Sequence, residues 1–542
     1  MRRLQEFDFI IVGAGSAGSV LASRLSENNR VRVLLLEAGD SDRRLWVRIP
    51  LGVGRILNDA RYVWKAETEP EPELHGNRIY WPSGKLIGGS SSVNGMLFVR
   101  GHPKRYDEWR DNGCPGWGWS DVLPYFKRLE DCSFGDRSLR GRDGPIGVTR
   151  LGSDPLTEAF LDACGEVGVR RTDDYNDENP EGAASIQLST RNGVRCSTGL
   201  AYLRKAQKRG NLRVETNALA RQVLFDGRRA VGVTYTQDGR LERIRACREV
   251  ILCAGAIRSP QLLELSGVGR SEVLQGLGLE VVAALPGVGE NLQDHLMPRI
   301  SYECKVPATV NDMLTSRLRL AREIFRYAVH RTGLFATPSF TALAYVHSRP
   351  QLAYPDIRLQ IGLSSGANRL PTSSSNGLDP FSGFHIGGYF LYPGSRGHVH
   401  ARSLDPAQTP EIRANYLAHD QDRDVIVRLL GMIRRIAAAD ALRQVIVREV
   451  RPGPEMETDE QLLDYARRTG STCWHPIGTC KMGSGPDAVV DPELRVHGLV
   501  GLRVVDASVV PFMVASNTNI PTIMIAEKAA DLIAGSTTLA GC

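Results

Sequence analysis

Three glycines and one acid are the first residues whose types and spacing could do chemistry. Gly13, Gly15 and Gly18 form G-x-G-x-x-G within the string GAGSAG. In such a loop the first glycine permits a tight turn, the second lets the backbone approach a pyrophosphate, and the third lets helix and strand pack closely. The phosphates would sit at a helix N-terminus, where unpaired N–H groups and the helix dipole favour anions. Glu37 comes 19 residues after Gly18, where a carboxylate can accept hydrogen bonds from both hydroxyls of a ribose. That acid disfavours a 2′-phosphate, so FAD or NAD is expected before NADP. Two further groupings have metal-ligand residue types: Cys473 with His475 and Cys480, and His398 with His400, two apart on a strand. The first lacks a fourth ligand nearby, and no metal is expected.

The elements that must position these residues are legible around them. Phe9-Ile10-Ile11-Val12 reads as a strand buried on both faces. Ala17, Leu21 and Leu25 repeat at helical spacing, and Val31 to Leu36 reads as a second strand that ends at Glu37. This is a βαβ unit with an expected right-handed crossover. Strand patterns return over 211–256 and in LRVVDAS, followed by the helix-like TIMIAEKAADLIAG. Polar, glycine- and proline-rich sequence fills about 130–190. A second excursion over about 300–469 carries helical segments near 313–330 and 420–446 and strand-like stretches near 357–363 and 384–402. No internal repeat or low-complexity linker appears, so two interleaved domains are expected.

Composition bounds the function. The charge balance is 67 − 61 = +6 over 542 residues, too mild and too evenly spread for a nucleic-acid binder. Glycine, 55 of 542, is in excess, which suits tight turns and close backbone approach to a cofactor. The ten cysteines form no dense framework, so a reduced, cytoplasmic protein is expected. No leader and no membrane-spanning run is apparent.

Longer strings go further. GKLIGGSSSVNGMLFVRG (84–101), GAIRSPQLLELSGVG (255–269), PGVGENLQDH (286–295), GHVHARSLDP…PEIRANYL, CWHPIGTCKMG (473–483) and LRVVDASVVP…SNTNIPTIMIAEKAAD together resemble the glucose–methanol–choline (GMC) oxidoreductases, in particular their choline-dehydrogenase-like branch. The resemblance runs from about residue 7 to 535. It implies an α/β protein in which a Rossmann-like FAD-binding domain (1–155, 195–300 and 470–542) interleaves with a substrate domain (156–194 and 301–469) built on an antiparallel sheet with helices. It also implies non-covalent FAD, since Val93, the residue before Asn94, offers no nucleophile to the flavin. Beyond Gly13, Gly15, Gly18 and Glu37, the implied cofactor set is Ser16, Ala17, Ala38, Gly88, Gly89, Ser91, Asn94, Gly95, Ala254, Trp474, Ala507, Asn519 and Thr522. Asp506 would meet the ribityl or pyrophosphate region, and the backbone of Val223 would meet the adenine. Pro521 suits the first turn of a helix whose N-terminus would face the flavin pyrimidine edge.

The chemistry implied is the oxidation of a primary alcohol to an aldehyde. An alcohol loses a proton from oxygen and a hydride from carbon, so the protein must supply a base and an orienting polar group. His475 matches the family's catalytic histidine and Asn517 its second catalytic position. Tyr62, Trp64, Phe335, Phe340, Tyr389 and Phe390 are candidate pocket aromatics that lean toward an apolar or aromatic alcohol. Choline oxidation, a flavin-containing hydroxynitrile lyase and a catalytically silent flavoprotein are the alternatives. The electron acceptor, oxygen or another molecule, and the oligomeric state are left open. Arg319, Arg322, Arg326 and His330 form a basic stripe opposite Leu314, Leu318, Ala321 and Phe325. An ordinary amphipathic helix with a solvated polar face is favoured there over a lipid or acceptor contact.

Overall fold

The protein is described from a computed structural model that covers residues 6–338, 340–367, 377–515 and 517–535. Two large sheets organise it. In the first, the strand Glu6–Val12 lies parallel to Val33–Leu36, with Ile10 opposite Leu34. Leu212–Glu215 extends that edge. On the other side runs Arg240–Leu252, with Ile10 opposite Val250, and Leu502–Val504 adds a parallel strand beyond it. The apolar runs predicted as doubly buried strands are so, with Ile10, Ile11, Leu34 and Leu35 fully inaccessible. The first half of Arg240–Leu252 leaves this parallel layer and pairs antiparallel with Arg229–Gln237, which pairs in turn with Ala218–Asp226. The result is a dinucleotide-type α/β layer with an antiparallel extension.

The second sheet is antiparallel throughout. Its strands run in the order Ile446–Arg451, Arg299–Cys304, Gly383–Phe390, Ile357–Gly362, Phe340–Val346 and Gly182–Ser185. The helix Asp420–Ala437 covers one face. It buries Val425, Ile426, Leu429, Leu430, Ile433 and Ile436, an i, i+3/i+4 stripe. Gly388 lets it lie close: a Cβ there would stand 2.6 Å from Leu359 Cδ2 and 3.1 Å from Leu429 Cδ1.

The turn after Glu6–Val12 depends on glycine for two separate reasons. Gly13 has φ +102°, a region that side chains strongly disfavour. Gly18, in the helix Ser16–Leu25, has no such dihedral, but a Cβ on it would sit 1.9 Å from the Gly13 carbonyl oxygen. This is the close helix–strand contact expected of the third glycine.

One expectation fails. The helix Arg317–His330 buries only Tyr327; its apolar residues Leu318 and Phe325 are 85% and 65% exposed. The cause is where the helix is tied. Tyr327 donates to the Gly193 carbonyl at 3.0 Å and Glu323 accepts the Leu334 N–H at 2.9 Å, so the edge that carries Leu320, Glu323 and Tyr327 faces the protein and the apolar face turns outward. Eight cysteines are free and buried. Cys247 is disulfide-bonded, so the expectation of thiols throughout does not hold for it.

Gly18→Ala should force the turn open. We expect a loss of stability of ~1–3 kcal/mol, typical of overpacking, together with a lower flavin content. Thermal melts of the flavin-depleted protein and flavin-to-protein absorbance ratios would check this; a variant that matches the wild type in both would mean that the turn relaxes at no cost.

Candidate active site

A cavity of about 2200 Å³ is lined from both sheets, by Val12 and Leu36 on one side and Gln360, His385 and Tyr389 on the other. Of the cofactor residues expected from sequence, Gly13, Gly15, Ser16, Ala17, Glu37, Ala38, Gly89, Asn94, Gly95, Ala254, Trp474, Asp506, Ala507, Asn519 and Thr522 line it. Gly18, Gly88, Ser91 and Val223 do not, and act, where they act, from behind the wall. Ser91 donates to the Gly88 carbonyl at 2.6 Å and contacts Thr198 at 3.0 Å. The Val223 N–H is spent on Ser266 Oγ at 2.9 Å. A register shift between Ala220 and Gln222 resets the strand ahead of Val223, and Ala218, Leu219 and Ala220 line the cavity instead.

The nucleotide half is a cradle of backbone. A Cβ on Gly89 would lie 2.6 Å from Gly15 Cα, so the loop and the glycine turn touch main chain to main chain. Two helices, Ser16–Leu25 and Asn519–Gly535, begin at the cavity and meet where Ser16 Oγ donates to Asn519 Oδ1 at 2.7 Å. Farther along, Arg24 pairs with buried Glu527 at 2.8 Å. Both positive helix ends therefore open on one space, which favours negative charge there. Glu37 accepts the Ala14 N–H at 2.9 Å and the Gly39 N–H at 2.8 Å, and burial pushes its carboxyl up to about 7. Asp506 accepts from the Gly255 N–H at 2.8 Å, Ser259 Oγ at 2.5 Å and the Ser508 N–H at 2.8 Å. It thus caps two helices, and part of its accepting capacity remains for a hydroxyl in the cavity.

The chemical half is a chain of hydrogen bonds whose direction follows from its ends. His295 Nε2 lies 3.1 Å from the Leu391 carbonyl oxygen. A carbonyl can only accept, so Nε2 carries the proton. Burial holds His295 well below its usual range, at about 4, so the ring is neutral and its Nδ1 accepts. His475 Nδ1, 2.9 Å away, must then donate, which leaves His475 Nε2 as a lone pair. Asn517 Nδ2 donates to it at 2.7 Å, and Asn517 Oδ1 accepts from Arg358 Nη1 at 2.5 Å. His475 is held from its backbone as well: its N–H donates to Asp294 Oδ1 at 2.7 Å, while Thr472 Oγ1 and the Tyr416 hydroxyl donate to Asp294 Oδ2. His295 stacks on Tyr389 with ring centroids 4.5 Å apart.

Sequence reasoning placed His475 and Asn517 together, and they touch. It missed His295, Asp294, Arg358 and Arg195. Arg358 is fully buried, donates also to the Tyr389 hydroxyl at 2.9 Å, and forms no salt bridge among the described residues. Arg195, also buried, donates to the Asn94 carbonyl at 2.7 Å and to Asn94 Oδ1 at 2.9 Å, and so fixes the loop residue. Of the candidate aromatics, Trp64, Phe335, Phe340 and Tyr389 line the cavity, while Tyr62 and Phe390 do not. Trp64 is already flanked by Arg258 and Lys85, at 4.1 and 4.3 Å from its ring centre. Cys480 packs in the core of the first sheet, apart from His475. Among the described residues one group has ligand-like spacing, Glu290 with His398 and His400. His400 lies between Glu264 at 2.7 Å and Glu290 at 3.2 Å and is raised to about 9 by those two carboxylates against the opposing effect of burial, so this group is bonded as an ion pair.

A dinucleotide cradle that opens onto a histidine with an accepting nitrogen fits a dinucleotide-dependent oxidoreductase. Family models described as GMC oxidoreductase match residues 7–297 and 393–526; the chain belongs to this family, its cofactor is FAD, and it acts on CH–OH groups. It is 41% identical over 547 residues to an oxygen-dependent choline dehydrogenase of Photobacterium profundum, covering 98% of this chain and 94% of the relative. Among solved structures it resembles pyridoxine 4-oxidase from Mesorbium loti at 30% identity and TM-score 0.87, covering 97% of this chain and 98% of that one. A formate oxidase variant of Aspergillus oryzae RIB40, at 24% identity and TM-score 0.91 with 99% of each chain covered, shares the fold. No helix among the described residues is long and apolar enough to cross a membrane.

Nitrogen-15 NMR of histidine-labelled resting enzyme should show His475 neutral with its proton on Nδ1, and His295 neutral with its proton on Nε2 down to about pH 4. The opposite tautomers would mean that the Leu391 carbonyl does not set the direction of the chain.

Proposed function

We propose that this enzyme oxidises an apolar or aromatic primary alcohol to its aldehyde. The observation that carries the reading is His475 Nε2 at the cavity wall, an acceptor held at rest by the Asn517 amide, which an alcohol hydroxyl would replace as its donor. Bound FAD supplies a hydride acceptor at flavin N5. His475 Nε2 takes the hydroxyl proton, and its Nδ1–H stays on His295, so the ring cannot turn as it becomes charged. Asn517 Nδ2 donates to the alcohol oxygen, which gains negative character as the hydride leaves. Arg358, on the far side of the same amide, polarises that donor and adds positive charge behind it.

On the cofactor side, the pyrophosphate falls to the Gly13–Gly18 turn and the N-terminus of Ser16–Leu25, and the N-terminus of Asn519–Gly535 falls to the flavin. The ribose falls to Glu37, and the adenine to Ala218–Ala220 rather than to Val223. Asn94, Gly95, Trp474, Asn519 and Thr522 face the flavin. FAD is held without a covalent bond, because Val93 has no nucleophile. The names of the curated relatives favour choline as a second reading. Against it, the fixed charge behind the alcohol site is a guanidinium, where a trimethylammonium group would want a carboxylate and an aromatic cage.

In FAD-replete enzyme under anaerobic conditions, benzyl-type alcohols should bleach the flavin faster than choline, and readmitted oxygen should be tested first as acceptor. A flavin that stays yellow with every alcohol would point to the lyase; faster bleaching by choline would overturn the substrate class and leave the base intact. His475→Ala should slow flavin reduction by ~10²–10⁴, the range for a general base, and Asn517→Ala by less. The double variant should lose less than the product of the two, because both groups act on one oxygen. Near wild-type reduction in His475→Ala would place the site elsewhere.

FAD binding to the apoprotein should be pH-dependent through Glu37. Ribose hydroxyls donate to the ionised carboxylate, so its pKa in the complex lies below the free value of about 7. Binding therefore releases a proton, and affinity should rise between about pH 5 and pH 7, by up to ~10-fold per pH unit. Glu37→Gln should flatten that profile. An equally steep profile in the variant would assign the proton to another group.

A further inference from the structure

The helix Arg317–His330 carries two features that its expected role as an ordinary surface helix does not use. Its outward face is apolar: Leu318 and Phe325 stand 85% and 65% exposed, and Val329 joins them at 56%. Leu318, Phe325 and Val329 follow at spacings of seven and four, so they form one ridge along the axis. Beside that ridge the helix is strongly basic. Residues 317–331, RLRLAREIFRYAVHR, contain five arginines and one acid. That acid, Glu323, is turned inward to Leu334 and Arg326, while Arg317 and Arg322 join no ion pair among the described residues. An apolar ridge flanked by guanidinia is the arrangement of a helix that lies in a lipid headgroup layer.

We infer that this face docks the enzyme on the surface of a membrane that contains anionic phospholipid. Charge complementarity selects that occupant. A second copy of the chain set against the same face would bring two sets of arginines together, whereas lipid phosphates neutralise them while the acyl boundary takes Leu318 and Phe325. The position of the helix gives the contact a use. Its inner edge, through Leu320, Ile324 and Tyr327, lines the active-site cavity together with Leu314 of the preceding turn. Docking would therefore set the apolar mouth of the cavity against the bilayer, where an apolar alcohol concentrates. The contact is made from the surface and needs no spanning helix.

The test is sedimentation of the holoenzyme with vesicles of phosphatidylcholine alone, and with vesicles in which about one-third of the lipid is phosphatidylglycerol. Binding is expected to the anionic vesicles only, and to fall as salt is raised. Leu318→Ser/Phe325→Ser should weaken it on the order of ten-fold or more, and Arg322→Glu/Arg326→Glu should abolish it. Because none of these four side chains lines the cavity, both variants should keep wild-type flavin content and turnover of a water-soluble alcohol. No binding by wild type, or binding undiminished in the apolar variant, would overturn the inference. So would a wild-type dimer in sedimentation equilibrium that Leu318→Ser/Phe325→Ser splits, since the face would then be covered by a second copy.

Discussion

A peptide carbonyl has no proton to give, and from that constraint the chemistry of this site follows. The Leu391 oxygen fixes the proton of His295 on Nε2, His295 then fixes the proton of His475 on Nδ1, and His475 Nε2 accepts from Asn517 Nδ2 at the cavity wall. Many hydrolases orient a catalytic histidine with a carboxylate, which also stabilises the charged ring. Here the orienting partner is a neutral imidazole that burial keeps neutral. It sets direction without adding negative charge, so His475 keeps its proton on Nδ1 and turns Nε2 to the Asn517 amide.

The backbone of the site is held with more force than its side chains. Asp294 gathers the His475 N–H, Thr472 and Tyr416 on one buried carboxylate; such charge-assisted bonds are stronger than neutral ones. The Cys473 N–H donates in turn to the His295 carbonyl at 2.9 Å. The segments around Asp294 and Cys473 are thus clamped to each other before either histidine meets a substrate. Arg195 does the same for the loop at Asn94. In both places a buried charged group ties main-chain and side-chain atoms of the loop together, which fixes the loop's geometry.

The parts that were legible in sequence are those where one residue type has one physical use. Only glycine fits at Gly13 and Gly18, where the dihedral and the close helix–strand contact leave no place for a side chain. The parts that were not legible are those where context reverses the usual reading. In Ile357–Gly362 the alternation Ile-Arg-Leu-Gln-Ile reads as one buried and one solvated face. Both polar residues are buried instead: Gln360 lines the cavity, and Arg358 stands behind Asn517 without lining it. In Arg317–His330 the apolar stripe reads as the buried one, yet two polar anchors on the other edge, Tyr327 and Glu323, decide the rotation. For Val223 the sequence has no mark of the Ser266 hydroxyl that accepts its N–H.

Arg358 links the site to its selectivity. A guanidinium buried without a carboxylate is costly to desolvate, and protein interiors tolerate it only where many dipoles converge. Here Tyr389, Asn517 and Gln360 offer oxygens, and the rings of Tyr345 and Tyr389 lie 5.8 and 5.6 Å from its centre. None of these neutralises the charge, so the field reaches the alcohol site through Asn517. Under the proposed function that field would favour the partial negative charge that forms on oxygen during hydride loss and would disfavour a substrate that brings its own cation. One residue, placed one hydrogen bond behind the Asn517 amide, would then serve rate and specificity together without touching the substrate.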